Sequence, residues 1–437
     1  MSKKNRLIGL LCIAVLCSRS LCAQPRQMGI EELFRLADEQ SKSIQTYRTA
    51  TEAAGEALKA AKAQRLPDVN VSLSASYLGN GKLWDRDFGN TTTVEMPHFG
   101  NNFALEAQQV IYAGGAISSG IRQAELGKLM AQLNLQKNVQ EIRFLLVGHY
   151  LNLYKLDNQI KVLQRNLQLT REVIANMKAR RGQGTVLKND ITRYELQREQ
   201  LNLQLSRVKD ARSIANHRLT TTLHLPESTE ITPDASLLEQ KVAALTEDEW
   251  QNLAEHHNIS LKQAETTVRL NEQKVRLERS ERLPHIALVA ADHLDGPITI
   301  EVPVLDNNFN YWYVGIGLRY NLSSLFKNNK KLKQARLNVR QAQEHHQWMQ
   351  EQVENAVQES YVNFLTAFAD LRTQENSVRL ADENYNVTDT RYKNGMALLT
   401  DMLDAGNTKL SADMELVDAR INILYNYYKM KYVTHTL

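Results

Sequence analysis

Between Leu135 and Met177 the residues Leu135, Val139, Ile142, Leu146, His149, Leu153, Leu156, Ile160, Leu163, Leu167, Thr170, Ile174 and Met177 succeed one another at alternating steps of four and three. A spacing that averages about 3.5 residues holds one seam against a partner helix and winds the pair left-handed. The surrounding tract predicts a helix over 117–179, about 95 Å long at 1.5 Å per residue, and such a rod must lie against other long rods. Gly182 and Gly184 then predict a tight turn followed by a returning helix.

Of the eight prolines, none falls between His98 and Leu225 or after Pro303. Because proline in a helix interior costs about 3 kcal/mol, the two proline-free tracts permit two long helical hairpins, the second with its long helix over 325–389. The tracts belong to a repeat. Arg65, Leu66 and Pro67 recur 217 residues on as Arg282, Leu283 and Pro284, and Leu36 and Ala37 recur at the same offset as Leu253 and Ala254. Beyond the prolines the offset is 211, carrying Gln123 and Ala124 to Gln334 and Ala335, Arg180 to Arg391, Gly184 to Gly395 and Asp190 to Asp401. One elongated unit is duplicated, with the length difference in a loop.

The division expected from this is a signal peptide over 1–23, a first repeat over 24–222, a connector over 223–246 and a second repeat over 247–437. Lys3, Lys4 and Arg6 precede an apolar run from Leu7 to Leu16 that is too short to span a bilayer, and cleavage is expected after Ala23. The three cysteines, Cys12, Cys17 and Cys22, all lie in this leader. Lipidation at Cys22 is the alternative, and Leu21 sits where a small residue would precede a modified cysteine. The exported chain therefore depends on packing or assembly, with no disulfide. A net charge of +4 without a block of like charges gives no reason to expect nucleic acid.

Where the prolines cluster, the period changes to two. Val69, Val71, Leu73, Ala75 and Tyr77 alternate with polar residues, predicting a strand over 69–78 and a partner over 103–112. The second copy predicts strands over 286–293 and 311–320, with Trp312, Val314, Ile316, Leu318 and Tyr320 on one face. Tyr311, Tyr313, Gly315, Gly317 and Arg319 lie on the other. A soluble sheet with one wet face would show the same alternation. The leader, the absence of cysteine beyond it and the flanking long helices favour strands that cross an outer membrane with Val69, Val71, Leu73, Trp312, Val314, Ile316 and Leu318 toward lipid. Four strands cannot close a barrel and an open edge in lipid is forbidden, so that reading requires an oligomer: two chains supply eight strands, three supply twelve.

No arrangement of nucleophile, metal ligands or phosphate-binding glycines is recognisable. The neighbouring pairs His256–His257 and His345–His346 lack the i, i+4 spacing of a helical metal site. No enzyme activity and no cofactor are expected.

The plan of helix, strand pair, long helix, glycine turn and returning helix, twice over, resembles the TolC-like outer-membrane efflux proteins across essentially all of the chain after the leader. It is carried by the Arg-Leu-Pro before each strand pair, the Gln-Ala at the head of each long helix, and the turn Arg391, Tyr392, Lys393, Asn394, Gly395 with Leu398 to Ala405 after it. The resemblance implies a mainly α fold with β: a homotrimer with a twelve-stranded transmembrane barrel continued by a twelve-helix periplasmic barrel. It implies an exit duct in the outer membrane that docks a periplasmic adaptor and, through it, an inner-membrane transporter of a tripartite efflux pump or type I secretion system. It also implies a gate at the hairpin tips, with Asp190 on the first turn and Tyr392, Asp401 and Asp404 on the second; the family's arginine position falls on Ala397. Docking would fall on the turns themselves, at Arg180, Arg181, Gly182, Gly184, Arg391 and Gly395. Asp190 and Asp401 are equally placed to cap the returning helices. A periplasmic adaptor or a secreted coiled-coil scaffold would share the long helices but not the duplicated strand pairs.

Overall fold

The computed structural model describes residues 25–234 and 245–437. The expected leader, with Cys22, and part of the expected connector lie outside the described residues.

The described chain is mainly helical. Strand β1 (Pro25–Met28) leads to α1 (Ile30–Gln40) and α2 (Lys42–Ala63), then to strands β2 (Asp68–Tyr77), β3 (Gly81–Trp84), β4 (Thr91–Val94) and β5 (Phe99–Ala113). The hairpin of α3 (Ala116–Gly182) and α4 (Lys188–Thr222) follows, then β6 (Glu230–Pro233). The same order recurs as α5 (Glu247–His257), α6 (Ile259–Ser280), β7 (His285–Gly296), β8 (Phe309–Arg319), the short α7 (Ser324–Lys327), α8 (Asn329–Lys393) and α9 (Leu399–Val433). Helix α8 starts four residues later than its periodicity suggests. Asn328, left between α7 and α8, donates its side-chain amide to the Glu278 carbonyl at 2.5 Å and separates the two helices.

The chain divides into two compact units. One comprises Thr49–Leu133 and Leu261–Met349 and contains an antiparallel sheet in the order β2-β5-β7-β8, so β2 and β8 are its edges. Residues facing each other across strands share a face. One face therefore carries the rows Val69, Ala107, Ala290, Val314 and Val71, Leu105, Asp292, Trp312, with Ile316 and Leu318 farther along β8. The other carries Asn70, Glu106, Ala291, Tyr313 and Ser72, Ala104, His293, Tyr311. A bulge between Val110 and Tyr112 interrupts the register of β5 on β7. Strands β3 and β4 form a separate hairpin inside the connection from β2 to β5. Their four-residue runs carry too little alternation to be read from sequence.

The other unit takes in the described residues up to Arg48, those within Asn134–Ser260, and Gln350–Leu437. Here the seam residues Leu146, Leu153, Leu156, Leu163, Leu167, Ile174 and Met177 are all buried. Leu146, Leu153 and Leu156 join Leu33, Phe34, Leu219, Leu424 and Tyr428 in the largest core cluster. Strand β6, within the expected connector, pairs in parallel with β1. Tyr150 ties the pair to α3: fully buried, its hydroxyl donates to the Met28 carbonyl at 2.6 Å and accepts from the Asp234 N–H at 2.8 Å. A short parallel pair whose strands lie far apart in sequence leaves no local trace.

Candidate functional site: the hairpin tips and the sheet

Both hairpins turn by the same device. Gly184 and Gly395 have φ of 77° and 73°, the left-handed region that a side chain with a Cβ resists. The N–H of Thr185 bonds to the Arg180 carbonyl at 3.2 Å and that of Met396 to the Arg391 carbonyl at 2.8 Å, satisfying the carbonyls that end α3 and α8. Gly182 closes α3 within this turn. Arg181 points to solvent, as do Leu187 and Leu398, the equivalent residues just ahead of α4 and α9, which are 71% and 70% exposed. From sequence, Leu398 enters only as the start of the motif after the second turn and Leu187 not at all; their matching places in the repeat were the available signal.

Beneath the turns the two hairpins meet. Ile174 and Met177 of α3, Ile191 and Tyr194 of α4, and Leu399 and Met402 of α9 form one buried cluster, with Tyr385 and Tyr392 of α8 against it. Burial, then neighbouring Tyr385, Tyr392 and Asp389, pushes the Tyr194 phenol far above its ordinary range. Burial likewise raises Tyr385 and Tyr392, the latter helped by Asp190 and opposed by Arg180. All three phenols thus keep their protons at neutral pH. Gln197 of α4 donates to Asn407 of α9 at 2.7 Å, a polar link between the hairpins.

The residues expected at a gate fall into three situations. Asp190 and Tyr392 come together, one on each hairpin, and the Arg180 guanidinium lies 5.7 Å from the Tyr392 ring centre. Asp401 is a helix cap: its carboxylate accepts the Leu398 N–H at 3.0 Å. Asp404 is exposed and makes no hydrogen bond or ion pair among the described residues. Arg391 reaches the Met396 carbonyl at 3.5 Å, not Asp401. The role of Arg180 under Tyr392 was missed because the pair is far apart in sequence and joined only by packing.

On the sheet, Val69, Val71, Leu73, Trp312, Val314, Ile316 and Leu318 all lie on one face and all are exposed, Leu73 by 77% and Trp312 by 74%. The same face also carries Asn101, Gln109, Asp292 and Asn310, and the Asp292 carboxylate accepts from the Asn310 amide at 2.8 Å. On the opposite face His293 stacks on Tyr311 with ring centres 5.1 Å apart, and its Nε2 lies 3.9 Å from the Glu106 carboxylate. No helix among the described residues is long and apolar enough to cross a membrane. The described residues contain no cluster of histidine and acidic side chains suited to a metal ion.

Comparison with known proteins agrees with this architecture. The family described as "Outer membrane efflux protein" matches residues 33–223 and 250–428, one stretch in each copy of the repeat. The chain is 25% identical over 189 residues to outer membrane protein TolC of Salmonella enteritidis, a stretch covering 42% of this chain and 38% of that relative. It is 21% identical over 379 residues to outer membrane efflux protein BepC of Brucella suis, covering 84% of this chain and 79% of BepC. In fold it is similar to the outer membrane protein VceC of Vibrio cholerae, with a TM-score of 0.79 and 14% identity over 93% of this chain and 95% of that one. The family match spans both copies and most of the chain. The protein therefore belongs to the outer membrane efflux protein family.

Proposed function

We propose that three copies of this chain assemble into an exit duct that passively conducts substrate from the periplasm across the outer membrane. The observation that carries this reading is the four-stranded sheet, which leaves the outer edges of β2 and β8 unpaired and a mainly apolar face with its edge-strand side chains uncovered. Exposed edges and an exposed apolar face are both liabilities in water. Strand directions alternate across the sheet, so β8 of one copy runs antiparallel to β2 of the next, and a ring closes without an edge. Three copies give twelve strands, wide enough for a conduit, whereas eight-stranded barrels fill with their own side chains.

The hairpin tips are the gate in this reading. Asp190, Tyr392 and Arg180 tie the two hairpins of one copy together, while Asp401 and Asp404 place carboxylates near the symmetry axis. Threefold rings of carboxylate focus a negative field at a narrow throat and attract cations. The turns around Arg180, Arg181, Gly182, Gly184, Arg391 and Gly395 meet a periplasmic adaptor, and through it an inner-membrane transporter. The exposed Leu187 and Leu398 offer that adaptor apolar contact.

Purification from the outer membrane in detergent, with mass by light scattering, and reconstitution into planar bilayers test the proposal together. A trimer with discrete cation-selective conductance steps is expected. Asp404→Asn should weaken block by multivalent cations, since Asp404 has no cap to lose. A stable monomer in detergent-free buffer, or channels whose selectivity ignores Asp404→Asn and Asp401→Asn alike, would reject the duct or the aspartate throat respectively.

A further inference from the structure

The strands of the sheet meet their helices at the end marked by Asp68, Ala113, His285 and Arg319, so the two connections 78–98 and 297–308 share the opposite end. Each leaves large apolar side chains in water. The β3–β4 hairpin exposes Leu83, Trp84 and Phe88, and the 297–308 loop, pinched by an Ile298–Leu305 bridge, exposes Ile300, Val302 and Leu305. Ile300 is 93% exposed, and so many apolar residues grouped at one end of a sheet mark a contact surface.

Their charges differ: the hairpin carries both signs and the loop one. In the hairpin, Asp85 accepts from the Asn90 amide at 2.8 Å and Asp87 from the Gly89 N–H at 3.0 Å, which holds both carboxylates, still charged, within their own turn. Lys82 and Arg86 make no ion pair among the described residues, and Glu95 stands at the hairpin's base. The 297–308 loop contains Glu301 and Asp306 and no lysine or arginine. Neither acid has an ion-pair partner among the described residues.

The hairpin leaves the sheet from edge strand β2, and the loop enters edge strand β8. Resting on the trimeric ring proposed above, we infer that the β3–β4 hairpin of each copy seats on the 297–308 loop of the next. Edge closure of β8 on a neighbouring β2 brings these two surfaces together, Trp84 and Phe88 against Ile300 and Val302, with Lys82 and Arg86 beside Glu301 and Asp306. The contact is heterologous: two different patches meet, and the rotation repeats around the ring. Its occupant is a second copy of this chain. The outcome is an apolar collar at the end of the barrel away from the helices, which ties neighbours together beyond the strand hydrogen bonds and sets the width of the mouth.

Cysteine pairing tests the collar, because Cys12, Cys17 and Cys22, all in the expected leader, are the only native thiols. Two chains with different tags, one carrying Trp84→Cys or Phe88→Cys and the other Ile300→Cys or Val302→Cys, are expressed together and mildly oxidised in outer-membrane fractions. At least one of the four pairings should give a mixed disulfide between the two tagged chains, and neither chain expressed alone should cross-link. Light scattering of the reduced protein in detergent is the second readout. A trimer with no mixed disulfide in any pairing, or with hairpin-to-hairpin disulfides alone, overturns the collar and leaves the ring intact. A monomer overturns the ring on which the collar rests.

Discussion

The guanidinium of Arg180, at the end of α3, lies 5.7 Å from the ring centre of Tyr392, at the end of α8. Asp190, on the same hairpin as Arg180, also acts on this phenol, so the Tyr392 ring is one of the links between the two hairpins of one chain. A cation over an exposed or half-buried ring is worth about 0.5–1 kcal/mol. Arg180→Ala should therefore shift an opening equilibrium by roughly two- to fivefold toward the conducting state, read as longer open times in planar bilayers. Tyr392→Phe keeps the ring for Arg180 and loses only the hydroxyl. It should have the smaller effect if the ring contact dominates, and the larger if the hydroxyl's neighbour Asp190 does.

Val71 and Ser72 are adjacent on β2 and face opposite sides of the sheet. Lysine near the middle of a lipid-facing strand costs about 2–4 kcal/mol, whereas a pore-facing lysine meets water. Val71→Lys should lower the yield of assembled protein in the outer membrane and its resistance to denaturant in lipid, while Ser72→Lys should leave both near wild type. Equal tolerance of both lysines is the result expected of a sheet in water.

Lys409 is buried between α8 and α9, where it pairs with Asp382 and lies 5.4 Å from the Tyr385 ring centre. Burial raises the pKa of nearby Asp413, and Lys409 opposes that rise. Lys409→Met leaves the half-exposed Asp382 without its ion-pair partner and should destabilise the second hairpin by about 1 kcal/mol, the upper end for a solvent-accessible pair. Thermal unfolding of the detergent-solubilised protein measures it. Adding Asp382→Asn should recover part of the loss, since the neutral side chain no longer needs a counter-charge.

Burial, reinforced by Arg218, lowers the pKa of His149 below its ordinary value of 6.5. The folded chain then binds fewer protons than the unfolded chain, so His149 contributes stability that is present above pH 6.5 and declines as pH falls through that value. Between pH 8 and pH 5 the His149→Gln protein should lose less thermal stability than wild type. An unchanged pH slope would assign the titration to other groups.

Much of the helical architecture is already present in local pattern. The four-three spacing from Leu135 to Met177 marks the buried seam of α3, because a helix repeats every 3.6 residues and only a sustained apolar stripe can keep it on a partner. Alternation along β2 and β8 likewise separates the apolar face from the polar one, since side chains of a strand point to opposite sides in turn. The left-handed turns were announced by Gly184 and Gly395, which have no Cβ to clash.

What tertiary structure alone decided are the links between distant segments. The pairing of β5 with β7 sets which edges remain open, β1 finds β6 across most of a repeat, and Arg180 finds Tyr392 across two hairpins. Asp401 turned out to cap its helix while Asp404, one turn on, points to solvent without a partner among the described residues. Periodicity is a property of neighbouring residues and survives in the linear chain. Pairing between remote segments depends on closing long loops and packing whole helices, and no residue types at fixed spacing record it.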